Sequence, residues 1–371
     1  MKAYILTISI SYLLCLIGEK LLKNKNKFNY FGGLIFYIFS LFLVSFLAGI
    51  RDLSIGTDIY YYFYQIFHDF SANNMSILAE EKARGTEIGF VILMKFASAF
   101  NNINFAMFLI EFFTALPIYV IAMDKKEKGS LIVLVFLLTM YVRSFNLIRQ
   151  SLAMTIIILS TYYYLKKEKN KTFILTIIAI SIHYSAIISI VIYYLIYVSS
   201  LNDKYNKTIL YFIIYLILFA SIFGIDFILK YTKYYKYIIN DNNAIRKNQI
   251  IKKVFWIIVA IINYITFRKN KGTEKDVVNS QNITVCNLFI IDLIIYFLTV
   301  KIPNIGRLGQ YLINLGYILI IKNFPNNFKQ KKLIEFILVI ILIIFWINMT
   351  ISPNSGDQTY PYKTDFISWL N

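Results

Sequence analysis

The sequence predicts an all-α polytopic membrane protein, and its composition supports this prediction in three ways. Hydrophobic residues make up 58% of the 371 residues, charged residues make up only 16%, and the mean hydropathy is +0.61. Soluble domains contain about 45–50% apolar and about 25% charged residues. A soluble protein of this size has too little interior to bury so much apolar surface. The composition therefore excludes a soluble enzyme, a disordered chain and a disulfide-stapled secreted domain.

Apolar runs of membrane-spanning length recur along the whole chain. A helix needs about 20 predominantly apolar residues, within a range of about 17–25, to cross a bilayer. We therefore predict a single integral membrane domain, residues 1–371, with about ten transmembrane helices. The predicted spans are 3–18, 29–50, 104–123, 129–145, 149–165, 207–228, 251–267, 283–300, 307–322 and 331–351.

Two further apolar regions do not fit a single crossing. Residues 87–101 are too short, and residues 172–199 are too long for one crossing and too short for two. Both flanks of 172–199 are rich in lysine, so we expect this region to enter and leave on one side, as two short helices that meet near His183. Residues 87–101 are expected to dip in from the opposite side. Re-entrant backbone is tolerated where protein or a water-filled cavity satisfies its polar groups.

The basic residues predict the orientation of the chain. Six short stretches hold 21 of the 38 Lys and Arg residues: 19–28, 124–128, 165–171, 202–207, 268–276 and 322–332. The positive-inside rule places such stretches in the cytoplasm. Alternation of the spans then places outside the long loops 51–86 and 229–250 and the segments 143–150, 301–307 and 352–371. Topology accounts for the net charge of +18, so we do not expect nucleic acid as a partner.

Polar and ionisable side chains away from the lysine clusters collect on the predicted outer side. They come from separate segments: Arg51, Asp52, Thr57 and Asp58; Tyr60, Tyr61 and Tyr62; Glu87; Arg143, Asn146, Arg149 and Gln150; His183 and Ser185; and Arg307, Gln310 and Tyr311. Ionisable residues near the membrane interior are costly and mark functional sites. Convergence of these segments on one face favours a site there.

Each of these residues also has a purely structural interpretation. An arginine at the end of a span commonly extends to the lipid headgroups. Thr57 and Asp58 are typical of a turn that caps a helix. A lone histidine in an apolar run, such as His183, is commonly a structural residue, and the tyrosines suit an interfacial belt.

The residue types suit a ligand that combines phosphate with sugar. Arg51, Arg149 and Arg307 offer forked donors that match phosphate or pyrophosphate, and aromatic side chains can stack on sugar rings. Three other side chains are of general-base type: His183, Asp58 and Glu87. The sequence has no Walker loop and no metal-ligand spacing of histidine or cysteine, so we expect neither a metal nor a cofactor.

The order and spacing of the motifs resemble the EpsG family of bacterial membrane proteins. The motifs are Gly49-Ile50-Arg51-Asp52, Gly56-Thr57-Asp58 with Tyr61, Glu87-Ile88-Gly89-Phe90, Asn146-Leu147-Ile148-Arg149-Gln150-Ser151-Leu152-Ala153, His183-Tyr184-Ser185-Ala186, the element from Arg307 to Tyr311, and Pro361-Tyr362-Lys363. They extend from about residue 30 to residue 365, and their common order is more specific than any single motif.

The resemblance implies a Wzy-type polymerase of exopolysaccharide, capsule or O-antigen. Such a glycosyltransferase is expected in the bacterial cytoplasmic (inner) membrane, with its active site facing outside. It would move a growing glycan from undecaprenyl diphosphate onto a new lipid-linked repeat unit, and a chain-length regulator is a candidate partner. The glycosyl-phosphate bond of the donor supplies the energy, so no ATP site is required.

Roles for the candidate residues follow from this reaction. His183 is expected to be the catalytic base, with Glu87 and Asp58 organising the pocket. Arg149 and Arg307 are expected to bind the diphosphate, with Arg51 completing a cationic pocket. The remaining candidates for substrate binding are Thr57, Tyr61, Gln150 and Tyr311.

Two other function classes stay open from the sequence. A transporter or flippase of lipid-linked oligosaccharide would also use a cationic cavity, although the sequence shows no internal repeat of the kind common in transporters. A membrane acyltransferase acting on the same glycan would use His183 as its base.

Overall fold

A computed structural model describes residues 1–24, 26–71, 85–124, 128–201, 203, 205–216, 247–268, 275–299, 305–323, 331–351 and 358–370. The regular secondary structure of these residues is helical, which confirms the predicted all-α class. The chain groups into two compact units. The first contains residues 1–187 and 332–371, and the second contains residues 188–331.

The first unit contains most of the predicted site residues. Its helices are α1 (Lys2–Leu22), α2 (Lys27–Gly49), α3 (Tyr64–Ser71, preceded by a π-helical turn Ile59–Phe63), α4 (Ile88–Ser98), α5 (Ile103–Asp124), α6 (Gly129–Ser144, with a π-helical turn at Leu137–Tyr141), α7 (Ile148–Leu165), α8 (Lys169–Ile182) and a later helix, Lys331–Ile351. A 3₁₀ turn, Tyr184–Ile188, follows His183.

The second unit continues from that turn. Its helices are α9 (Ser189–Ser200), a helical segment at 205–216, α10 (Lys247–Arg268), α11 (Lys275–Leu298) and α12 (Gly306–Asn323); the helix Lys331–Ile351 is α13 in chain order. Within this unit α11 packs against α9, α10 and α12.

The helices support a multi-pass membrane protein. Four helices in the described part of the chain are long and apolar enough to cross a membrane: Lys2–Leu22, Lys27–Gly49, Ile103–Asp124 and Val278–Leu298. Shorter apolar helices accompany them, including Gly129–Ser144 and Glu335–Ile351. The total of about ten spans remains a prediction. Residues 72–84 of the loop 51–86 and residues 229–246 of the loop 229–250 lie outside the described residues.

Both irregular regions have the short helices that the sequence predicts. The region 87–101 forms the 11-residue helix α4, which at 1.5 Å per residue is only about 16 Å long. The region 172–199 divides at His183, between α8 and the turn that precedes α9. The predicted loop 51–86 is not simply irregular, because residues 59–71 are helical.

Helix α7 is the central element of the first unit and is buried along nearly its whole length. It packs against α5 and α8, and its polar residues face protein; the Ser160 hydroxyl, for example, donates to the Thr172 carbonyl at 2.8 Å. Arg149 lies in its first turn and Lys166 directly follows its last residue. The 18 residues of α7 span about 27 Å, so these two cations lie at opposite ends of the unit.

Ion pairs and hydrogen bonds join the lysine-rich ends of the helices. The Glu19 carboxylate accepts hydrogen bonds from the Ser130 N–H at 2.9 Å and the Ser130 hydroxyl at 2.6 Å, and it pairs with Lys23 at 3.1 Å. Lys166 pairs with Asp124 where α5 and α7 both end. The described residues Lys23 and Lys166 therefore lie at the ends of α1 and α7, and the candidate site is built at the other end of α7.

Candidate functional site

Glu87 is the centre of the candidate site, because its two carboxylate oxygens bond to two different elements. Oε1 accepts a hydrogen bond from the Tyr184 N–H at 3.2 Å and lies 2.6 Å from Nδ1 of His183. Oε2 accepts a hydrogen bond from Nη1 of Arg149 at 2.7 Å. The Glu87 side chain is 4% exposed, whereas those of Arg149 and His183 are 24% and 20% exposed. Glu87 is thus a buried link between a cation and an imidazole that both remain accessible.

A close approach of α4 and α8 brings Glu87 to His183. Glu87 precedes α4 in extended conformation, and His183 follows α8 in extended conformation. Gly89 lies against Ser181 of α8, where a Cβ atom would be 2.3 Å from the serine Oγ and 2.8 Å from its carbonyl oxygen. Any larger residue at position 89 would force the helix ends apart. The glycine of the Glu87-Ile88-Gly89-Phe90 motif therefore has a packing role.

The charge of Glu87 fixes the tautomer of His183. Burial raises the pKa of Glu87, but the hydrogen bond from His183 and the charge of Arg149 outweigh burial, so the pKa lies below its ordinary value. An ionised carboxylate only accepts hydrogen bonds, so Nδ1 of His183 carries the proton and Nε2 of the neutral ring is an acceptor. This tautomer suits a general base, because Nε2 can take a proton while Glu87 stabilises the resulting imidazolium.

Arg149 connects Glu87 to a second carboxylate through an aromatic ring. Its guanidinium carbon lies 4.4 Å from the centre of the Tyr62 ring, a distance typical of a cation–π contact. The Tyr62 hydroxyl donates to Oδ2 of Asp58 at 2.6 Å, and that oxygen also accepts from the Ile148 N–H at 3.1 Å. A carboxylate is favourable at the start of a helix, here α7. We call Glu87, His183, Arg149, Tyr62 and Asp58 the Glu87 cluster.

The turn at residues 56–58 is held against the start of α7. Gly56 has φ +87°, and a Cβ atom there would lie 2.2 Å from the Phe145 carbonyl oxygen, so both the conformation and the space favour glycine. The Thr57 N–H donates to Oδ1 of Asn146 at 2.8 Å, and the Thr57 hydroxyl donates to the same oxygen. Thr57 therefore has a positioning contact next to Asp58.

Arg51 lies in a different, enclosed environment. The residue is 3% exposed, and its guanidinium carbon lies 4.3 Å above the Phe145 ring. Burial is the largest influence on its pKa and lowers it, while the charge of Glu111 opposes that effect. Glu111, on α5, is also 3% exposed and accepts a hydrogen bond from the Ser144 hydroxyl at 2.7 Å. The Tyr4 ring lies 6.0 Å from the Phe145 ring and 5.4 Å from the Tyr362 ring, measured between ring centres. We call Arg51, Phe145, Glu111, Tyr4 and Tyr362 the Arg51 cluster.

The C-terminal motif packs against the loop that follows α2. The Asp52 N–H donates to the Lys363 carbonyl at 2.9 Å, and the Gly56 N–H donates to the Gln358 carbonyl at 3.1 Å. The Tyr362 hydroxyl donates to the carbonyl of Leu47 at 2.7 Å. Two motifs that are more than 300 residues apart in the sequence are therefore neighbours in the structure.

The structure brings some of the predicted site residues together in the first unit and describes others within the second unit. Asp58, Glu87, Arg149 and His183 form one hydrogen-bonded network, with Thr57 beside it and Gln150 buried in the first turn of α7. Arg307 is exposed in the first turn of α12, and Tyr311, one turn later, is 1% exposed; both belong to the second unit. The Tyr61 side chain lies outside the described residues.

Sequence reasoning named Tyr62 only as one of three tyrosines on the outer side, and it did not single out Glu111. The contact of Tyr62 with Asp58 was detectable, because Tyr62 lies four residues after Asp58 at the start of a helix. Glu111 is a lone carboxylate within an apolar span, which is itself a signal of function. The same signal applies to Asp292 in the second unit, which is 2% exposed and bonds to Lys253.

The similarity of this chain to a known protein family covers most of its length. The sequence model of the EpsG protein family matches residues 34–364, nearly the whole chain. The chain belongs to the EpsG family. No curated protein and no solved structure matches it significantly. EpsG membership makes this chain a membrane protein related to polysaccharide biosynthesis.

The structure shows how four of the motif segments are arranged in space. The segments that contain Asp58, Glu87, Arg149 and His183 meet at the helix ends opposite to the lysine clusters. The resulting site holds one oriented imidazole and one guanidinium that share a buried carboxylate. An imidazole acceptor beside a fixed cation can take a proton from a hydroxyl while a phosphate is bound close by.

Proposed function

We propose that this EpsG-family protein is a Wzy-type polysaccharide polymerase. It transfers a growing glycan from undecaprenyl diphosphate onto the non-reducing end of a lipid-linked repeat unit, at the outer face of the cytoplasmic membrane. The observation that carries the proposal is the Glu87 cluster, in which one carboxylate orients a base and holds a phosphate-type cation. A flippase needs a cationic cavity but has no use for an oriented base.

The reaction assigns a step to each member of the cluster. A hydroxyl oxygen of the acceptor sugar forms a bond to the anomeric carbon of the donor glycan, and the bond from that carbon to the phosphate oxygen breaks. Nε2 of His183 takes the hydroxyl proton, and undecaprenyl diphosphate leaves with the bonding electron pair. Arg149 stabilises the negative charge that develops on the leaving diphosphate. Tyr62 and Asp58 hold the guanidinium in position.

Elongation in proteoliposomes tests this proposal. Purified protein is reconstituted and supplied with the lipid-linked oligosaccharides extracted from source cells that lack the protein, and the chain length of the glycan is followed by electrophoresis and mass spectrometry. We expect a ladder of lengthening glycans together with release of undecaprenyl diphosphate. Movement of the substrate across the bilayer without elongation would contradict the proposal and support the flippase.

The outward orientation is tested separately by labelling with a membrane-impermeant thiol reagent in intact cells. In a background without Cys15 and Cys286, a cysteine replaces Tyr60, which is 82% exposed and follows Asp58 by two residues. Lys23→Cys, at the lysine-rich end, is the matched control. We expect Tyr60→Cys to react in intact cells and Lys23→Cys to react only after permeabilisation. The reverse pattern would place the cluster on the cytoplasmic side.

A further inference from the structure

A buried ion pair joins α10 to α11 in the second unit. Nζ of Lys253 donates a hydrogen bond to Oδ2 of Asp292, and the two side chains are 13% and 3% exposed. The same ammonium lies 5.3 Å from the centre of the Tyr296 ring, one turn further along α11. Asp292 lies within the candidate membrane span Val278–Leu298. Ionisable residues inside a span are costly and mark functional sites, so this pair calls for a role.

The other carboxylate oxygen of Asp292 lies directly against the first turn of α12. A Cβ atom at Gly309 would be only 2.2 Å from Oδ1 of Asp292, so only glycine leaves room for the carboxylate there. Gly316, two turns later on the same face of α12, lies against Phe289 of α11, where a Cβ atom would be 2.7 Å from Cε1. A carboxylate is also favourable beside the first turn of a helix. The start of α12 is therefore packed on the carboxylate that Lys253 holds.

This contact determines where the backbone of Arg307 lies. Arg307 is the second residue of α12, two residues before Gly309, and its side chain is exposed. The sequence predicts that Arg307 binds a diphosphate, because a guanidinium fork matches phosphate oxygens. Both prongs of a fork must reach oxygens at hydrogen-bond distance. A shift of the first turn of α12 would therefore weaken the binding of a diphosphate by Arg307.

We propose that Asp292, held by Lys253, is a positioning residue that fixes the first turn of α12 and so aims Arg307 at the diphosphate of undecaprenyl diphosphate. Asp292 and Lys253 do not themselves touch the lipid. Stability alone does not require a charge pair, since apolar residues of similar volume commonly stabilise a buried site as well or better. The inference deepens the proposed polymerase function and rests on it for the identity of the ligand.

Binding of undecaprenyl diphosphate to the purified full-length protein in nanodiscs tests this role. Asp292→Asn keeps the size of the side chain but removes its charge, and Arg307→Ala removes the fork. We expect each single variant to raise the Kd at least about tenfold. Because Asp292 acts through Arg307, we expect the double variant to bind no more weakly than Arg307→Ala. A wild-type Kd in Asp292→Asn, or losses that multiply in the double variant, would overturn the inference.

Asn263→Ala is the matched control for a loss of stability. Asn263 also joins α10 to α11, since its Nδ2 donates to Oδ1 of Asn282 at 3.3 Å. That contact lies about 15 Å from Asp292 along α11. We expect Asn263→Ala to lower the unfolding temperature but to keep the Kd within about threefold of the wild type. A Kd raised as much by Asn263→Ala as by Asp292→Asn would show that the contact between α10 and α11 is only structural, and the inference would be wrong.

Variants of Lys253 repeat the test without changing Asp292. Lys253→Met removes the ammonium and keeps most of the apolar stem, so Asp292 loses the group that holds it. We expect this variant to raise the Kd as Asp292→Asn does. Lys253→Arg keeps a cation beside Asp292 and is expected to stay within about threefold of the wild-type Kd. Wild-type binding by Lys253→Met would contradict a role for the pair in positioning Arg307.

Failure of the proposed function gives a different result from failure of this inference. The Kd for undecaprenyl diphosphate is measured without any elongation of glycans. If the wild-type protein binds this lipid but does not elongate glycans, the polymerase proposal fails, and the cycle of Asp292 and Arg307 still decides whether one acts through the other. If the wild-type protein elongates glycans while Arg307→Ala binds the lipid normally, the polymerase proposal stands and this inference fails.

Discussion

The Arg51 cluster and the Glu87 cluster place an arginine in two opposite environments within one unit. Arg149 shares a buried carboxylate with His183 and keeps 24% of its side chain exposed. Arg51 is 3% exposed, and its guanidinium carbon lies 4.3 Å from the centre of the Phe145 ring. Two arginines near the ends of spans therefore differ in whether a substrate could reach them. Exposure distinguishes them, whereas sequence position does not.

The largest expected effect comes from removing His183, the proposed base of the Glu87 cluster. His183→Gln keeps a hydrogen bond to Glu87 but cannot take a proton, so we expect elongation to fall by about 10²–10⁴-fold. Proteoliposome assays with the folded variant measure this loss. The matched control is His68→Gln, since His68 lies on α3 and stacks on Tyr64. Equal losses of elongation rate in His183→Gln and His68→Gln would contradict a special role for the Glu87 cluster.

The next effect separates the two arginines. Arg149→Lys keeps the positive charge but loses the fork that contacts Glu87 and is proposed to bind a diphosphate. Loss of one side of a buried charged hydrogen bond costs about 2–5 kcal/mol, which is roughly 30- to 5,000-fold in affinity or rate. The KM for the lipid-linked donor and the kcat of elongation measure this. Wild-type kinetics in Arg149→Lys would contradict the diphosphate-binding role and favour the interpretation that Arg149 contacts lipid headgroups.

A moderate effect is expected from the contact that joins α4 to α8. Gly89→Ala places a methyl group within 2.3 Å of the Ser181 Oγ and should destabilise the protein by about 1–3 kcal/mol, as overpacking does. It should also slow elongation, because the ends of both helices separate. Gly32→Ala is the matched control, since its Cβ atom would meet only Leu21 Cδ1 at 3.5 Å. Thermal unfolding and elongation are measured for both, and equal behaviour would contradict the packing role of Gly89.

The smallest effect concerns the contact of the C-terminal segment with α2. Tyr362→Phe removes the hydroxyl that donates to the buried Leu47 carbonyl at 2.7 Å, so we expect a loss of about 1–3 kcal/mol in the free energy of unfolding. Tyr360→Phe, on the same segment and 41% exposed, should leave stability unchanged. Denaturant titration compares the two variants. A larger loss from Tyr360→Phe would show that the C-terminal segment is held in another way.

The fold class and most helix positions could be predicted because the hydrophobic pattern depends on the membrane itself. The predicted spans 29–50, 104–123 and 149–165 agree closely with α2, α5 and α7. The break at His183 was predictable from the lysines that flank 172–199. The number of transmembrane crossings could not be predicted from the sequence. A short apolar helix such as α4 shows the same hydrophobic pattern but is too short to cross the membrane.

The sequence could predict which residues belong to the candidate site but not which of them contact one another. Asp58, Glu87, Arg149 and His183 stand out because ionisable residues are rare near apolar spans. Their sequence positions do not reveal that Glu87 is the shared carboxylate, which depends on the close approach of Gly89 and Ser181. The enclosure of Arg51 likewise depends on Phe145, a contact between distant segments that the local sequence pattern does not encode.

Chemical rescue of His183→Ala tests the central claim, that an imidazole oriented by Glu87 takes the proton of the acceptor hydroxyl. Removal of the ring leaves space beside the Glu87 carboxylate, and added imidazole can occupy that space as a free base. The elongation rate of proteoliposomes that contain this variant is measured as imidazole is increased, alongside His68→Ala. The account predicts a rate close to zero without imidazole and a saturable recovery with it. Elongation by His183→Ala at the wild-type rate in the absence of imidazole would contradict it.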